Sequence, residues 1–537
     1  MKKFFACIIL IAFLVSCAPT LATAPAQPQP TQSQPAASPT AELQPRFWWR
    51  DAVFYEIFVR SFNDSNGDGI GDFNGITQKL DYLQQLGITA IWLMPIHPSP
   101  SYHGYDVINF YAVNPQYGSL ADFKNLLAAA HKKGIRVIID LVLNHTSSQH
   151  PWFLDANNNP NSPYRNWYIW SDSPQGKNWY PGKKDSYFAL FSRDMPDLNY
   201  RNPDVTAQVQ KITSYWLNDI GIDGFRLDAA KHLIEADAKI ENTPATHDWL
   251  KNFYTYYKAA KPGSFVVGEV FGAGGFIAKT YTNQLDEVFN FELSSGFVNS
   301  ANGNSNTGIN SAIKLTLPKM PDGQYATFLT NHDQNRAMSL FAGNTDKAKV
   351  AAALMLTAPG TPFIYYGEEI GMKGQKPDED IRLPMQWTTD PVSAGFTKGT
   401  PWRAPGTNTI TNNVALQEND PSSLLQYYKS LIKLRNAHPA LQTGSWTLVQ
   451  TSITNIYASL RIEGSESILV LVNLGKDKVT DYSLSWENSP LPDRNYQVDT
   501  IFGSESVQPL NIKAGRLESY QPLPVLDPYS TNIFSLK

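Results

Sequence analysis

Gly224-Phe-Arg-Leu-Asp-Ala-Ala-Lys-His232 is the stretch that decides the fold. Its first four residues suit a buried strand, and they run directly into a carboxylate, Asp228, and then a polar turn. Polar residues gathered at the C-terminal end of a strand are what a closed parallel barrel requires, because there the strand ends build one cleft. Seven further runs rich in β-branched and aromatic residues, at 53–60, 90–95, 136–142, 265–270, 287–291, 326–330 and 362–366, alternate with helical segments. That alternation predicts a parallel sheet wrapped by helices, an α/β chain closing as a (β/α)8 TIM barrel. Polar residues gather at the ends of these runs too: Asn144 and His145, Glu269, His332 and Asp333, Glu368 and Glu369.

Between the third run and the helix leading to the fourth lies an irregular stretch, 145–201, full of Trp, Tyr, Asn, Pro and Gly. It is too long for a simple connection, so it reads as a small domain inserted after strand three. The barrel then occupies 46–144 and 202–441. After an amphipathic helix at 422–436, short alternating strands with turn signals predict a C-terminal antiparallel β-sandwich over 442–537.

With 42% hydrophobic and 17% charged residues, the 537-residue chain can bury a large core and a satellite domain. The 48 acidic side chains nearly balance the 44 basic ones, leaving a formal charge of -4 and no footprint for nucleic acid. No protein partner is predicted.

The chemistry lies in the carboxylates. Cleaving a glycosidic bond with retention takes two carboxyl groups about 5–5.5 Å apart, one nucleophile and one acid with a raised pKa. Neighbouring strand ends offer such a pair, Asp228 after strand four and Glu269 in Val267-Gly-Glu-Val270 after strand five. Arg226 lies two residues before Asp228, hence on the same face, where its charge favours the ionised carboxylate. Asp333, after strand seven, is a third carboxylate able to hold sugar hydroxyls.

These segments resemble, in order, the conserved regions of the α-amylase family, glycoside hydrolase family 13: Asp140-Leu-Val-Leu-Asn-His145, Gly224 to His232, Gly268-Glu-Val270 and Phe328-Leu-Thr-Asn-His-Asp333. Met195-Pro-Asp-Leu-Asn199 and Gly360-Thr-Pro-Phe-Ile-Tyr-Tyr-Gly-Glu368 agree, and the likeness runs from about Phe47 to the C-terminus. The resemblance implies Asp228 as nucleophile, Glu269 as acid/base and Asp333 as transition-state stabiliser. It implies Tyr105, Asp106, His145, Arg226 and His332 around the sugar that is cleaved.

Asp64-Ser-Asn-Gly-Asp-Gly-Ile-Gly-Asp72 sets oxygen ligands at alternate positions among glycines, as a hard cation requires. It is not an EF-hand, since its twelfth position is Gly75 and it follows a strand. The resemblance implies Ca2+ held by Asp64, Asn66, Asp68, the Ile70 carbonyl and Asp72. It also implies a second Ca2+ site through Asn144, Asp197 and His232.

Met195-Pro-Asp-Leu-Asn199 resembles a group intermediate between oligo-1,6-glucosidases and neopullulanases. Ala229 departs from the Val associated with α-1,6 cleavage and favours α-1,4 bonds. Arg382, in Arg-Leu-Pro-Met-Gln-Trp387, resembles a motif of exo-acting glucosidases in which an Arg pairs with an Asp such as Asp106 to close the cleft. The favoured expectation is an endo-acting α-amylase cutting α-1,4 bonds of starch and maltodextrins. The alternatives are an exo-acting α-glucosidase or oligo-1,6-glucosidase, a neopullulanase-like enzyme or a transglycosylase. A non-catalytic glucan-binding lipoprotein is disfavoured by the complete set of carboxylates.

Met-Lys-Lys followed by a short apolar run reads as an export signal, 1–17, too short to span a membrane. Leu14-Val-Ser-Cys17 resembles the lipobox of bacterial lipoproteins, so Cys17 is expected to carry lipid and the protein to be exported and anchored to a bacterial membrane. Residues 18–45, rich in Pro, Gln, Ala, Thr and Ser, read as a disordered tether.

Overall fold

The computed structural model describes residues 47–537 apart from 237–238, 273–274, 317, 321–322 and 505–506. The export signal, Cys17 and the tether lie outside the described residues. Eight parallel strands close a barrel in chain order: β1 (Phe54–Ile57), β2 (Ala90–Leu93), β3 (Arg136–Leu141), β4 (Gly224–Leu227), β5 (Phe265–Gly268), β6 (Glu287–Phe289), β7 (Tyr325–Thr327) and β8 (Thr361–Tyr365), with β8 returning to β1. Each begins within a residue of the expected position, and all but β4 stop short of the expected end. The physical reason is that residues beyond these points leave the ladder to build the cleft; after β1 the chain already turns helical at Val59–Phe62.

Side-chain parity sorts each strand. In the paired register Phe54 sits beside Ala90 and Glu56 beside Trp92, while Asp140 lies opposite Arg226. The inward residues form their own core of Phe54, Trp92, Ile138, Phe265, Val267, Phe289 and Phe363. Phe54 stacks on Phe363 at 4.3 Å, and Trp49 closes the N-terminal end against Phe265 at 5.2 Å. Burying each large apolar side chain contributes about 1.5–3 kcal/mol and leaves the charged layer above on a dry floor. Outward residues such as Tyr55, Ile91 and Phe225 pack under the helices. Gly224 is demanded by close approach, since a Cβ there would meet the Phe265 carbonyl oxygen at 1.9 Å.

The insert leaves and rejoins the barrel at adjacent points. Thr146 N–H donates to the Pro196 carbonyl (3.1 Å) and Leu198 N–H to that of Asn144 (2.9 Å), with His145 and Asp197 paired between them. Between these ends lie a helix, Pro151–Asn158, and a small sheet in which Ser186–Phe188 pairs with both Trp170–Ser171 and Trp179–Pro181.

Beyond the helix Leu424–Ala437, capped by Ser423, the chain is antiparallel β. A five-stranded sheet runs β9 (Ser445–Leu448), β10 (Ile456–Glu463), β11 (Glu466–Asn473), β13 (Thr531–Leu536), β12 (Val498–Phe502), beside smaller sheets. A second core, including Leu460, Leu469, Leu484 and Trp486, lies between them. At the junction with the N-terminal end of the barrel, Arg435 donates to the carbonyls of Leu356 (2.9 Å), Ala358 (2.8 Å), Gly360 (2.6 Å) and Leu441 (2.8 Å). No helix among the described residues is long and apolar enough to cross a membrane.

Candidate active site

The parity that points Phe54 and Phe265 into the barrel carries on to its C-terminal end. There it points Glu56, Asp140, Arg226 and, just past their strands, Asp228 and Glu269 the same way. Ala229 follows in the left-handed region (φ 47), an uncommon conformation for a residue with a Cβ. This turn directs its N–H to Glu269 Oε2 at 3.1 Å.

Arg226 organises the cluster. Its Nη1 donates to Asp228 Oδ1 (2.5 Å) and Asp140 Oδ1 (2.9 Å), and its Nη2 to Glu269 Oε2 (2.8 Å). The guanidinium is 1% exposed and lies over the Trp92 ring. Arg226 thus holds one oxygen of each reactive carboxyl and leaves the second oxygen of each outside that ion pair. Asp333 stands across the cleft and is paired to Arg382 Nη2 (2.9 Å) and His332 Nε2 (3.2 Å). His332 in turn meets Glu56 through Nδ1 (2.5 Å) and the Tyr105 hydroxyl through Nε2 (2.7 Å).

One guanidinium cannot balance three buried carboxylates, and the pKa values follow. Burial, offset by Arg226, raises Asp140 to about 7, with Asp228 adding to the rise. Burial raises Asp228 and Glu269 as well, Arg226 opposing it in both. The three titrate as one unit around Arg226 and retain protons above the usual carboxylate range. Asp333 goes the other way: against the push of burial, His332, Arg382 and Arg226 hold it far below the ordinary value. Burial would lower His332, but Asp333 and Glu56 outweigh it and raise it to about 9. The site therefore pairs an ionised carboxylate, Asp333, with three carboxyls that share protons around Arg226, so that one can be ionised while another is protonated.

The remaining expected residues fall around this cluster. Tyr105 stacks on His332 at 5.6 Å, and its carbonyl meets His145 Nε2 at 3.1 Å. Burial lowers His145 to about 4, and its Nδ1 is enclosed without a hydrogen-bond partner. Asp106 accepts the hydroxyls of Ser99 (2.5 Å) and Ser101. The expected pairing of Arg382 with Asp106 is not formed: Arg382 pairs with Asp333 and with Asp378 at 3.2 Å, because its strand-eight loop brings it over strand seven. Glu368 and Glu369 do not join the cluster either. Glu369 accepts Tyr55 (2.8 Å) and Tyr82 (2.5 Å), Glu368 accepts Tyr428 (3.0 Å), and both are tied to the helical layer. Glu56 and Asp140, by contrast, belong to the site without having been singled out as site residues. The signal was present as a charged side chain of inward parity in an otherwise apolar strand.

The donors expected to hold Ca2+ already have partners in part. In the 64–72 loop all candidate ligands are oxygen, which suits the cation. Yet Asp64 already accepts the N–H groups of Asn66 (2.9 Å), Gly67 (2.7 Å) and Gly69 (2.8 Å), and Asp72 those of Ser65 (2.8 Å) and Gly75 (2.6 Å). Among the described residues no group of three or more His, Cys, Asp or Glu converges as a metal centre. At the second place, Asn144 donates to Asp197 at 3.0 Å, while His232 turns to the Ile240 carbonyl at 2.9 Å and does not join them. Asp197 is 1% exposed and raised well above the usual range by burial and by Glu235. A buried carboxylate with no cationic partner among the described residues suits a cation there.

The comparisons with known proteins agree with this geometry. Residues 56–444 match the sequence profile of the alpha amylase catalytic domain. The chain is 46% identical over 439 residues to alpha-amylase 3 of Dictyoglomus thermophilum, covering 80% of this chain and 86% of that one. It is 34% identical to an oligo-1,6-glucosidase of Parageobacillus thermoglucosidasius, covering 84% and 96%. The crystal structure of the alpha-amylase from H. orenii superposes with a TM-score of 0.79 at 37% identity over 90% of this chain and 99% of that one. An eight-stranded barrel whose C-terminal layer gathers Asp228, Glu269 and Asp333 around a buried arginine, with the profile spanning most of the chain, makes this protein a member of the α-amylase family of glycoside hydrolases.

Proposed function

We propose that the protein is an endo-acting α-amylase that hydrolyses α-1,4 bonds of starch and maltodextrins with retention. Glu269, its pKa raised, protonates the bridging oxygen while Asp228 attacks the anomeric carbon; the C–O bond breaks and a glycosyl ester forms on Asp228. Water then attacks that carbon, Glu269 takes its proton, and Asp228 is released ionised. Asp333, held anionic by His332 and Arg382, binds hydroxyls of the distorted ring and supports its developing positive charge.

The observation that carries the endo reading is the partnership of Arg382. On the pattern read from the sequence, an Arg382–Asp106 pair can close the end of the cleft in exo-acting enzymes, and here Arg382 is engaged with Asp333 and Asp378 instead. Ala229, in place of Val, favours α-1,4 over α-1,6 bonds. The test is the time course of products from starch, maltotriose, pullulan and isomaltose. Mixed oligosaccharides early from starch support the proposal, whereas glucose alone from short substrates would replace it with an exo-glucosidase.

The same proposal places Ca2+ in the 64–72 loop and beside Asn144 and Asp197. The ion would bind backbone and carboxylate oxygens, tying the first loop to residues 396–402 on which it packs and stiffening the junction of barrel and insert at the second. Treatment with a chelator lowers the melting temperature if either site is real; an unchanged value rules out both. Lipid on Cys17 would hold the enzyme at the membrane on its tether, and is checked by incorporation of labelled palmitate that Cys17→Ser abolishes.

A further inference from the structure

We infer that the cavity between the insert and the segment leaving β4 is a second glucan-binding site. It has a volume of about 920 Å³ and is lined by Trp170, Trp179 and Asn199 from the insert side and by Leu233, Ile234 and Glu235 from the segment after the nucleophile. That volume falls in the range of ligand pockets, about 300–1,000 Å³. None of Asp228, Glu269 or Asp333 lines it.

Its chemistry suits a pyranose better than other ligand classes. Trp179 is part-exposed and held in place by the edge of Phe188 at 5.4 Å, presenting a positioned aromatic surface. Around it stand the side-chain amides of Asn166, Asn178 and Gln175, which offer donors and acceptors without charge, while that of Asn199 is engaged with the Asn166 carbonyl and the Arg201 N–H. Glu235 also lines this space, its pKa raised by burial against the opposing pull of a backbone N–H and of Arg201. An anion would need free cations, but Arg201 is engaged with the Glu235 carbonyl at 2.5 Å, and Lys177 remains alone on the rim. A purely apolar ligand would leave the amides unpaired. A sugar ring, apolar on its face and polar at its edge, satisfies both. The ligand class rests on the glucan-cleaving reading above.

Maltotriose, titrated calorimetrically into the Asp228→Asn protein, is the probe. Two molecules are expected per chain. In Asp228→Asn/Trp179→Ala the second binding event weakens by about tenfold or more, and Trp179→Phe restores it. Trp179→Ala alone is expected to hydrolyse maltotriose within about twofold of the unaltered enzyme. One molecule per chain in the Asp228→Asn protein, or two retained unweakened with Trp179→Ala, overturns the inference. Products from starch together with single-site binding would sink the second site and leave the activity standing; two-site binding without any product would do the reverse.

Discussion

Arg226 and Arg435 are buried to nearly the same degree, 1% and 0% exposed, at opposite ends of one barrel. Around Arg226 stand three carboxylates whose protons it cannot all displace. Around Arg435 the hydrogen bonds go to backbone carbonyls, and burial with the like charge of Arg461 lowers its pKa against the opposing pull of Asp51, Tyr325 and Glu287. The first arrangement is electrically unbalanced in a way that a proton or a substrate can complete. The second is a set of hydrogen bonds that pins the end of the helix Leu424–Ala437 to the barrel. A buried cation is therefore no sign of function by itself; the carboxyls that the Arg226 guanidinium holds at the strand ends are.

The largest effect expected is the loss of turnover in Asp228→Asn, by about 10⁴-fold or more, since an amide cannot form the glycosyl ester. Its melting temperature should stay close to that of the parent, because Arg226 keeps Asp140 and Glu269. Substantial residual turnover in that variant would remove Asp228 from the mechanism. Next come the two arginines themselves. Arg226→Met is expected to cut kcat by about 10²–10³-fold with a modest change in melting. Arg435→Met should leave kcat per folded molecule unchanged and destabilise the fold by about 3–5 kcal/mol, because several buried carbonyls lose their donor at once. If the two variants lose activity and stability in the same proportion, the contrast drawn between them is wrong.

The pH dependence sharpens the comparison further. Glu269 donates only when protonated, so kcat/KM should fall as pH rises through its raised pKa, and Glu269→Gln should lose that limb. His332 has a folded pKa of about 9, above its unfolded value. The stability it contributes is complete below about 6.5 and is lost as pH rises through its folded value. Melting temperatures measured between these pH values should decline in the parent and decline less in His332→Asn. The smallest effect concerns the turn at Ala229. Ala229→Gly should gain up to about 1 kcal/mol by relieving a left-handed Cβ, and Ala229→Val should lose stability.

The barrel was legible in the sequence because strand parity and the polar ends of strands are local patterns. Asp228, Glu269 and Asp333 could be found for the same reason. Partnerships across the barrel were not legible. Nothing near Arg382 in the chain says that it reaches Asp333 in place of Asp106, and Glu368 and Glu369 look as catalytic as Glu269 until Tyr55, Tyr82 and Tyr428 are seen to hold them. Glu56 and Asp140 were readable from parity alone, but their role depends on His332 and Arg226, which arrive from other strands.

The insert begins and ends on paired positions, with Asn144 bonded to Leu198 and Thr146 to Pro196. Such a closed stem confines whatever lies between to a cassette. Its length and composition can drift, or be exchanged wholesale, without dragging on β3 or on the strand that carries Asp228. Remodelling the wall of the cleft is in that sense mechanically uncoupled from the machinery beneath it, which gives descendants of this barrel a way to change diet while keeping the same chemistry.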